Sequence, residues 1–209
     1  MPRKRLFLFY ALCICVGGFA IGATYLQLTH PPEPPLQRIK TLPDFQLMER
    51  SGKSVGLADL KGKVWLADFV YTTCPGPCLM ISSRLAELQN EALQNPAVRF
   101  VSVSTDPEHD TPEVLQKYAE HFHAAPDRWL FLTGEKGKVY GLIRDGFLLA
   151  VAEQPGAEQP IIHSTKLMLV DKNGVVRNFY DGASEGRSTE EKSAENRAIL
   201  RDIDRLARE

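Results

Sequence analysis

The stretch VWLADFVYTTCPGPC, residues 64–78, limits the fold of this chain more than any other part of the sequence. Its first eight residues are apolar or aromatic except for Asp68, which predicts a strand that is buried on both faces. Cys74 and Cys78 follow this strand closely, with three residues between them. Pro77 suits the first position of a helix, because proline has no N–H to leave unpaired there. The sequence therefore predicts a buried strand that leads directly to two thiols at the N-terminus of a helix.

Strand and helix patterns alternate along the rest of the chain. Residues 98–104 form a second predicted strand, and the helix after it has Thr111 as its expected N-cap and Pro112 as its first residue. Asn173 and Gly174 are typical of the two-residue turn of a hairpin. Strand, helix, strand and helix, followed by a hairpin and a last helix, is the order of a thioredoxin-like α/β domain, in which helices flank a central mixed sheet.

Three shorter patterns complete the prediction for this domain, which we place at residues 41–209. Residues 129–134 are typical of a short strand, and residues 138–147 of a short helix. Ser188 and Glu191 have the spacing of a capping box, so the last helix is expected to begin directly after Ser188.

The N-terminal residues are expected to lie outside the domain. Residues 6–28 carry no charge, and as a helix they would be about 34 Å long, enough to cross a bilayer. The basic residues within positions 1–5 predict a cytoplasmic stub, a single transmembrane anchor at 6–28 and a domain outside the cytoplasm. A cleaved signal peptide is the alternative interpretation. Residues 29–40 are rich in proline and would form an extended linker.

The charge distribution argues against a nucleic-acid partner. The formal net charge is −1, and three of the basic residues lie within the first five positions. The remaining chain is therefore acidic and offers no basic stripe along which a phosphate backbone could bind.

The position of the two cysteines predicts reactive thiols. The N–H groups and the positive dipole at the start of a helix favour the thiolate, so we expect a depressed pKa for at least one of the two. The thiolate is the nucleophile of disulfide exchange and also the form that binds metals. A spacing one residue longer than Cys-x-x-Cys lets the two sulfurs open around a metal ion, and it still allows a disulfide.

Four histidines of the domain are candidates for a further metal ligand. His121 and His123 lie two apart on a predicted helix, so they point to different faces and are expected to be solvated. His109 is expected to be a capping or surface residue of a loop. His163 stands at the entry to a strand that we expect beside the strand leading to Cys74, a position that suits a core histidine and a ligand equally well.

Two cysteines and one histidine are too few for a closed structural zinc site, which takes four ligands. They match a metal ion that accepts few and soft ligands. Thiolates suit Cu(I), and a mixed set of sulfur and nitrogen also accepts Cu(II). This ligand set therefore favours copper.

Three motifs together give the chain a resemblance to a known family: GKVWLADFVYTTCPGPC, VSVSTDPEHDTPEVLQKYA and IIHSTKLMLVDKNGVV. The order and the spacing of these motifs across residues 42–181 are similar to those of the Sco (SenC/PrrC) family. Members of this family are membrane-anchored, thioredoxin-like copper chaperones associated with cytochrome c oxidase assembly. The N-terminal anchor and the linker match the family as well.

The resemblance implies a copper site with Cys74, Cys78 and His163 as ligands of Cu(I) or Cu(II). It gives Asp106 a role beside the site or in docking a partner, whereas the alternative is a residue that only forms the turn before a helix. The implied partners are the copper-bearing subunit of cytochrome c oxidase, or another cuproprotein, and a thioredoxin-like reductant. The implied location is a bacterial inner membrane, with the domain in the periplasm or another extracytoplasmic space.

Two residues depart from the pattern of many members of the family. Leu79 stands where many members have a proline, and Ile162 stands where many have an acidic residue before the histidine. The second departure matters more, because a carboxylate there could orient the imidazole or contact a partner. Copper binding is still expected, but a mechanism that requires this carboxylate is not.

Two functions of different classes remain open at this point. The first is a metallochaperone, not a classical enzyme, which holds one copper ion and passes it to the dinuclear copper centre of a terminal oxidase. The second is a thiol–disulfide reductase that uses Cys74 and Cys78 without a metal, with His163 as an accessory group. A peroxidase-like or redox-sensing role is a third interpretation. A disulfide that only staples the domain is disfavoured, because so short a loop gains little stability.

The uncharged N-terminal segment generates a testable prediction about topology. A reporter that is active only after export, fused behind Glu209, should be active, because the basic N-terminus is retained in the cytoplasm. Fractionation after osmotic shock should find the fusion in the membrane. Reporter activity confined to the cytoplasm, or release of the protein in soluble form, would contradict the anchor.

Overall fold

The computed structural model describes residues 34–153, 161–183 and 186–209. Residues 37–209 form one compact unit. Within the described ranges, no helix combines the length and the apolar character that crossing a bilayer requires. The anchor expected at residues 6–28 lies outside these ranges and stays a prediction.

Strands and helices alternate along the described residues much as the sequence predicts. The strands are β1 (Lys40–Thr41), β2 (Gln46–Glu49), β3 (Ser54–Gly56), β4 (Val64–Val70), β5 (Val98–Ser104), β6 (Trp129–Thr133), β7 (Val151–Glu153), β8 (Ile161–His163), β9 (Lys166–Val170) and β10 (Val175–Asp181). The α-helices are α1 (Leu57–Leu60), α2 (Pro77–Ala92), α3 (Pro112–His121), α4 (Lys136–Gly141) and α5 (Thr189–Arg208). A π-helical turn, Leu142–Gly146, directly follows α4.

Most of the strands in the described part of the chain form one mixed sheet, in the order β1-β10-β9-β4-β5-β6-β2-β3. The central strands β4, β5 and β6 are parallel to one another. On one side β9, β10 and β1, and on the other side β2 and β3, run antiparallel to their neighbours. Strands β7 and β8 pair with each other in a separate antiparallel sheet. The mixed sheet with helices confirms the predicted α/β class.

The pairing of β4 with β5 brings two distant parts of the sequence to one edge of the sheet. All seven residues of β4 are buried, as expected for a strand covered on both faces. The parallel register runs from Val64 opposite Val98 to Val70 opposite Ser104. Since both strands end at the same edge, the loop that carries Cys74 and the turn that follows β5 begin side by side.

Both faces of the sheet are covered. Helices α2 and α5 pack against β4 and against each other, and α3 packs against β6. Alternate residues of β4, namely Trp65, Ala67 and Phe69, belong to a core cluster that α1, α4 and the π-helical turn complete. Because successive side chains of a strand point to opposite faces, β4 is packed between these two groups of helices.

The helices begin at the predicted capping residues. Helix α2 starts at Pro77, and the Thr111 side chain accepts a hydrogen bond from the N–H of Val114 at the start of α3. Ser188 and Glu191 form the predicted capping box before α5. The caps at Thr111 and Ser188 satisfy backbone N–H groups that the helix itself leaves unpaired, and Pro77 has no N–H to satisfy, so local sequence is enough to set these boundaries.

The hairpin of β9 and β10 turns at the predicted position. Gly174 has φ +75°, a conformation that glycine adopts without strain. The buried Asp171 carboxylate accepts hydrogen bonds from the N–H groups of Asn173 at 2.9 Å and Val175 at 3.0 Å, and from Arg177 at 2.9 Å. This turn lies at the edge of the sheet opposite to the cysteines, because β9 runs antiparallel to β4.

The helix predicted over residues 138–147 is divided in the structure. The N–H of Phe147 donates to the C=O of Leu142 at 3.0 Å, which closes the wider π-helical turn after α4. The Phe147 ring then packs edge-on against Trp65 and Phe69, with ring centroids 6.0 Å and 5.1 Å apart. The gain from burying this ring in the core is the reason that the regular helix spacing gives way.

Gly182 allows a close approach between the end of β10 and the residue before β9, and this generates a stability prediction. Its N–H donates to the C=O of Thr165 at 2.8 Å, and an added Cβ would overlap that oxygen and lie 3.1 Å from Cγ1 of Ile81. Gly182→Ala should therefore lower the free energy of unfolding by about 1–3 kcal/mol, the usual cost of overpacking. Denaturant unfolding followed by circular dichroism measures the change.

Gly141→Ala is the matched control for this prediction. A Cβ added at Gly141, the last residue of α4, would meet no atom within 4 Å. Alanine is more stable than glycine in a helix by about 0.5–1 kcal/mol, so this variant should keep or raise the stability. Equal losses of stability in the two variants would contradict the close approach at Gly182.

Candidate functional site

The two cysteines lie in an apolar cluster at the end of β4. Cys74 is 5% exposed, Cys78 is fully buried, and both pack with Val70, Tyr71 and Ile161. The N–H of Cys74 donates to the C=O of Tyr71 at 3.1 Å, which folds the loop back on the end of the strand. The side chains carry thiols and are not joined by a disulfide. A molecule that reacts with the pair would therefore meet Cys74 first.

Helix α2 begins between the two cysteines. Gly76 is its N-cap and Pro77 its first residue, so that Cys78 lies in the first turn and Cys74 in the loop before it, as predicted. The N–H of Leu79 donates to the C=O of Gly76 at 3.1 Å and closes this first turn. The three residues between the cysteines therefore contain the helix start itself.

The surroundings of Cys78 favour its protonated form. A hydrogen bond with Cys74 raises the pKa of Cys78, burial raises it further, and a hydrogen bond with the Tyr71 backbone only partly offsets them. Cys78 is therefore not the thiol with the depressed pKa that we expected for at least one of the pair. A helix N-terminus contributes at most about 2 kcal/mol, and burial of a charged group can exceed this. Burial, followed by a hydrogen bond with Cys74, also raises the pKa of Tyr71.

His163 belongs to a different sheet from the one predicted. It is the last residue of β8, and it pairs with Val151 of β7. Residues 164–165 separate β8 from β9, and β9 is the strand that pairs with β4. The expected single strand is therefore corrected to two, because the chain joins the main sheet only after His163, at Lys166. Ile161, at the other end of β8, packs in the cysteine cluster, so β8 still lies against the cysteines.

Asp106 lies at the same edge of the sheet, in the turn after β5. Its N–H donates to Oγ of Ser104 at 3.1 Å, and its C=O accepts from the N–H of Asp110 at 2.8 Å. Burial and the neighbouring Asp110 carboxylate raise the pKa of Asp106. Its charge also acts on Tyr71, which packs against both cysteines. A role for Asp106 beside the site is in keeping with this position and stays a prediction.

The other histidines are surface residues. His121 and His123 are exposed near the end of α3, as predicted. The His109 side chain is 52% exposed, and its Nδ1 lies 3.1 Å from Oδ1 of Asp110. Among the side chains that the structure describes, which do not include that of His163, no three His, Cys, Asp or Glu residues are grouped to hold a metal ion. A three-ligand site therefore depends on His163.

Two buried carboxylates near the site have partners that the sequence did not identify. Asp68 accepts a hydrogen bond from Oγ of Ser102 at 2.5 Å, and Nε1 of Trp129 donates to the same hydroxyl at 2.9 Å. Asp110 accepts from Oγ of Ser104 at 2.6 Å. The sequence holds a signal for both, because Ser102 and Ser104 interrupt the apolar residues in the second half of β5. Their partners lie on other elements, and only the fold brings them together.

The thiol pair can carry two kinds of chemistry. Cys74 and Cys78 can lose two electrons and two protons to an oxidant and form a disulfide. They can instead lose their protons and bind a soft metal ion through both sulfurs. Both processes need the two sulfurs close together, which the hydrogen bond between them provides.

The unequal environments of the two thiols predict ordered alkylation of the reduced protein. Between about pH 7 and 8, below the ordinary cysteine pKa of about 8.5, iodoacetamide should modify Cys74 before Cys78. The reason is that Cys78 is fully buried and its raised pKa keeps it protonated in this range. Peptide mass mapping at short reaction times measures the order. In urea the two rates should converge, and equal initial rates in the folded protein would contradict these environments.

Comparison with known proteins relates this geometry to one family. The sequence model of the SCO1/SenC family matches residues 33–197. The SCO1 protein homolog of Bacillus subtilis (strain 168) is 35% identical over 177 residues, which cover 84% of this chain and 84% of that protein.

Solved structures show the same fold. BsSco, described as a member of the Sco family of cytochrome c oxidase assembly proteins with a disulfide switch, matches with a TM-score of 0.70 and 30% identity, over 85% of this chain and 98% of its own. ScoI of Bradyrhizobium japonicum, solved with copper bound, shares the fold with a TM-score of 0.62 and 24% identity, over 76% of this chain and 98% of its own. The mixed sheet flanked by helices is thus that of the thioredoxin-like Sco structures. The chain therefore belongs to the SCO1/SenC family.

Proposed function

We propose that this chain is a membrane-anchored, extracytoplasmic metallochaperone that delivers copper to the dinuclear copper centre of cytochrome c oxidase, with Cys74, Cys78 and His163 as ligands. One observation carries the proposal. Two thiols are in hydrogen-bond contact at the first turn of α2, and strand β8 packs against them through Ile161. Copper is the cargo of such a protein, which has to hold the ion and then release it.

The two sulfurs supply the part of the site that suits Cu(I). A soft ion prefers thiolate ligands and tolerates a coordination number as low as two. Each thiol loses its proton when it binds a metal, and the positive ion neutralises the thiolate in a place where burial disfavours a bare charge. An apolar cluster around Cys74 and Cys78 is therefore compatible with a metal-bound pair.

The register of β8 supports His163 as the third ligand. Residues two positions apart in a strand share a face, and His163 follows two positions after Ile161, which packs with the cysteines. An imidazole there would complete a set of two sulfurs and one nitrogen that accepts Cu(II) as well as Cu(I). Ile162 supplies no carboxylate, so any orientation of the imidazole has to come from other groups.

Membership of the SCO1/SenC family supports copper as the cargo and an oxidase as the partner. The acceptor would be the copper-bearing subunit of cytochrome c oxidase or another cuproprotein. The uncharged residues 6–28 would anchor the protein in a bacterial inner membrane, with the domain in the periplasm or another extracytoplasmic space.

Transfer to the acceptor would occur by ligand exchange without a change in the oxidation state of copper. Acceptor thiolates would displace Cys74 first, because it is the more exposed member of the pair, and Cys78 last. Asp106, at the same edge of the sheet, would act beside the site or in docking the acceptor.

A second function uses the same thiols without a metal. As a thiol–disulfide reductase, the protein would attack an acceptor disulfide with the Cys74 thiolate and form a mixed disulfide. Cys78 would then resolve it, which leaves a Cys74–Cys78 disulfide and two acceptor thiols, and a thioredoxin-like reductant would restore the pair. The observation that favours this function is the contact between the two thiols, and BsSco is described as having a disulfide switch.

The variant His163→Ala separates the two functions. If His163 is a ligand, Cu(II) affinity should fall by about a hundredfold or more, whereas Cu(I), which two sulfurs can hold, should still bind. Dithiol–disulfide exchange needs only the cysteines and should change little. Copper titration of the full-length protein in detergent, together with exchange rates and oxidase assembly in cells, measures all of these.

His121→Ala is the matched control, because it removes an exposed histidine from the end of α3 and should leave every readout unchanged. Loss of Cu(II) binding and of oxidase assembly with intact exchange supports the metallochaperone. Unchanged Cu(II) binding in His163→Ala would rule out His163 as a ligand. Loss of exchange with oxidase assembly preserved would favour the reductase, with His163 as its accessory group.

A further inference from the structure

Asp110 is a fully buried carboxylate close to the loop that carries Cys74. It ends the turn that follows β5 and comes directly before Thr111, the N-cap of α3. Burying a carboxylate is costly unless hydrogen bonds compensate for the lost water, so the groups around Asp110 are strongly constrained in position.

The hydrogen bonds of Asp110 join two segments that are distant in sequence. Its Oδ1 accepts from the hydroxyl of Thr72 at 2.5 Å, and both carboxylate oxygens lie 3.2–3.3 Å from the N–H of Thr72. Its Oδ2 accepts from the hydroxyl of Ser104 at 2.6 Å. Ser104 is the last residue of β5 and Thr72 lies two residues before Cys74, so this carboxylate ties the cysteine loop to the central sheet.

His109 is the solvent-facing arm of the same cluster. Its Nδ1 lies 3.1 Å from Oδ1 of Asp110 and 3.4 Å from Oγ1 of Thr72, while about half of its side chain is exposed. The hydrogen bond from Ser104 is buried and the one from Thr72 is partly buried, and both residues donate to Asp110 directly rather than through His109. His109 therefore allows the outer contact to be removed without disturbing the inner ones.

We propose that Asp110 is a positioning residue for the thiol pair. Through Thr72 it holds the loop of residues 72–74 against the end of β5, and so it keeps the Cys74 sulfur within reach of Cys78. The proposal rests on the proposed function only in taking Cys74 and Cys78 as the working pair, and it applies whether the pair binds copper or exchanges disulfides.

Asp110→Asn tests this with little change in shape. The amide of asparagine has only one oxygen, so its NH2 group must face Thr72 or Ser104, both of which now donate to a carboxylate oxygen. The hydrogen bonds that connect Thr72 with Ser104 are therefore weakened. The more mobile Cys74 should then meet Cys78 less often, which disfavours the Cys74–Cys78 disulfide. We expect its equilibrium constant to fall by about tenfold, the effect of losing roughly one hydrogen bond.

The measurement uses the full-length chain in detergent, reduced and free of metal, in glutathione redox buffers. One glutathione disulfide oxidises the two thiols to the Cys74–Cys78 disulfide and is itself reduced to two glutathione thiols. Circular dichroism and denaturant unfolding confirm that each variant is folded under these conditions. Because no copper takes part, the result is independent of whether the copper proposal is right.

Asp171→Asn is the matched control, because Asp171 is also a buried, hydrogen-bonded carboxylate but lies in the hairpin turn at the opposite edge of the sheet. It should keep the wild-type equilibrium constant even if it loses stability. Thr72→Val should reproduce the effect of Asp110→Asn, and Thr72→Ser, which retains the hydroxyl, should restore the wild-type value. His109→Ala should have the smallest effect within the cluster.

The outcomes decide the proposal in either direction. A positioning role is supported if the equilibrium constant for the Cys74–Cys78 disulfide falls in Asp110→Asn and Thr72→Val. The constant should also keep its wild-type value in Thr72→Ser and Asp171→Asn. A wild-type constant in folded Asp110→Asn, or an equal fall in Asp171→Asn, overturns it. If Asp110→Asn does not fold, the comparison of Thr72→Val with Thr72→Ser decides.

Discussion

The parallel pairing of β4 with β5 is the constraint on which the rest of the site depends. Seven consecutive residue pairs hold the two strands in register, and both strands are almost entirely buried. Their common end fixes where the chain emerges, so Thr72 and Cys74 leave the sheet beside Ser104 and Asp106. A shift of this register by one residue would turn every side chain of one strand to the other face and dissolve the cluster.

Whether Cys78 is protonated depends on two opposing influences, the start of α2 and the buried surroundings of the thiol. The start of α2 favours a thiolate, but by at most about 2 kcal/mol, whereas burial can shift a pKa by about 3–5 units, or roughly 4–7 kcal/mol. At Cys78 the hydrogen bond with Cys74, followed by burial, outweighs the helix start, and the raised pKa of Cys78 is the result. Within the proposed function, a metal ion reverses this balance because it supplies the positive charge that the cluster lacks.

The proposed copper ligands lie on two parts of the domain, the main core and a separate small sheet. The cysteines belong to the junction of β4 and α2 in the main core, while His163 belongs to β8, which pairs only with β7 in the described part of the chain. Family membership and the contact of Ile161 with the cysteines both support one site. Because the ligands are divided in this way, loss of His163 should affect Cu(II) affinity, whereas loss of the Asp110 hydrogen bonds should affect the Cys74–Cys78 disulfide.

Much of this protein can be predicted from its sequence by itself, because the deciding interactions are local. The pattern of apolar residues determined the central strands. Capping and turn residues determined the start of α2 at Pro77, the cap at Thr111 and the turn at Gly174. Only the tertiary structure decided what depends on contacts between distant segments. The separation of β8 from β9, the protonated state favoured at Cys78 and the contact of Asp110 with Thr72, 38 residues away in the chain, all depend on burial and hydrogen bonds made only in the folded domain, which no local pattern encodes.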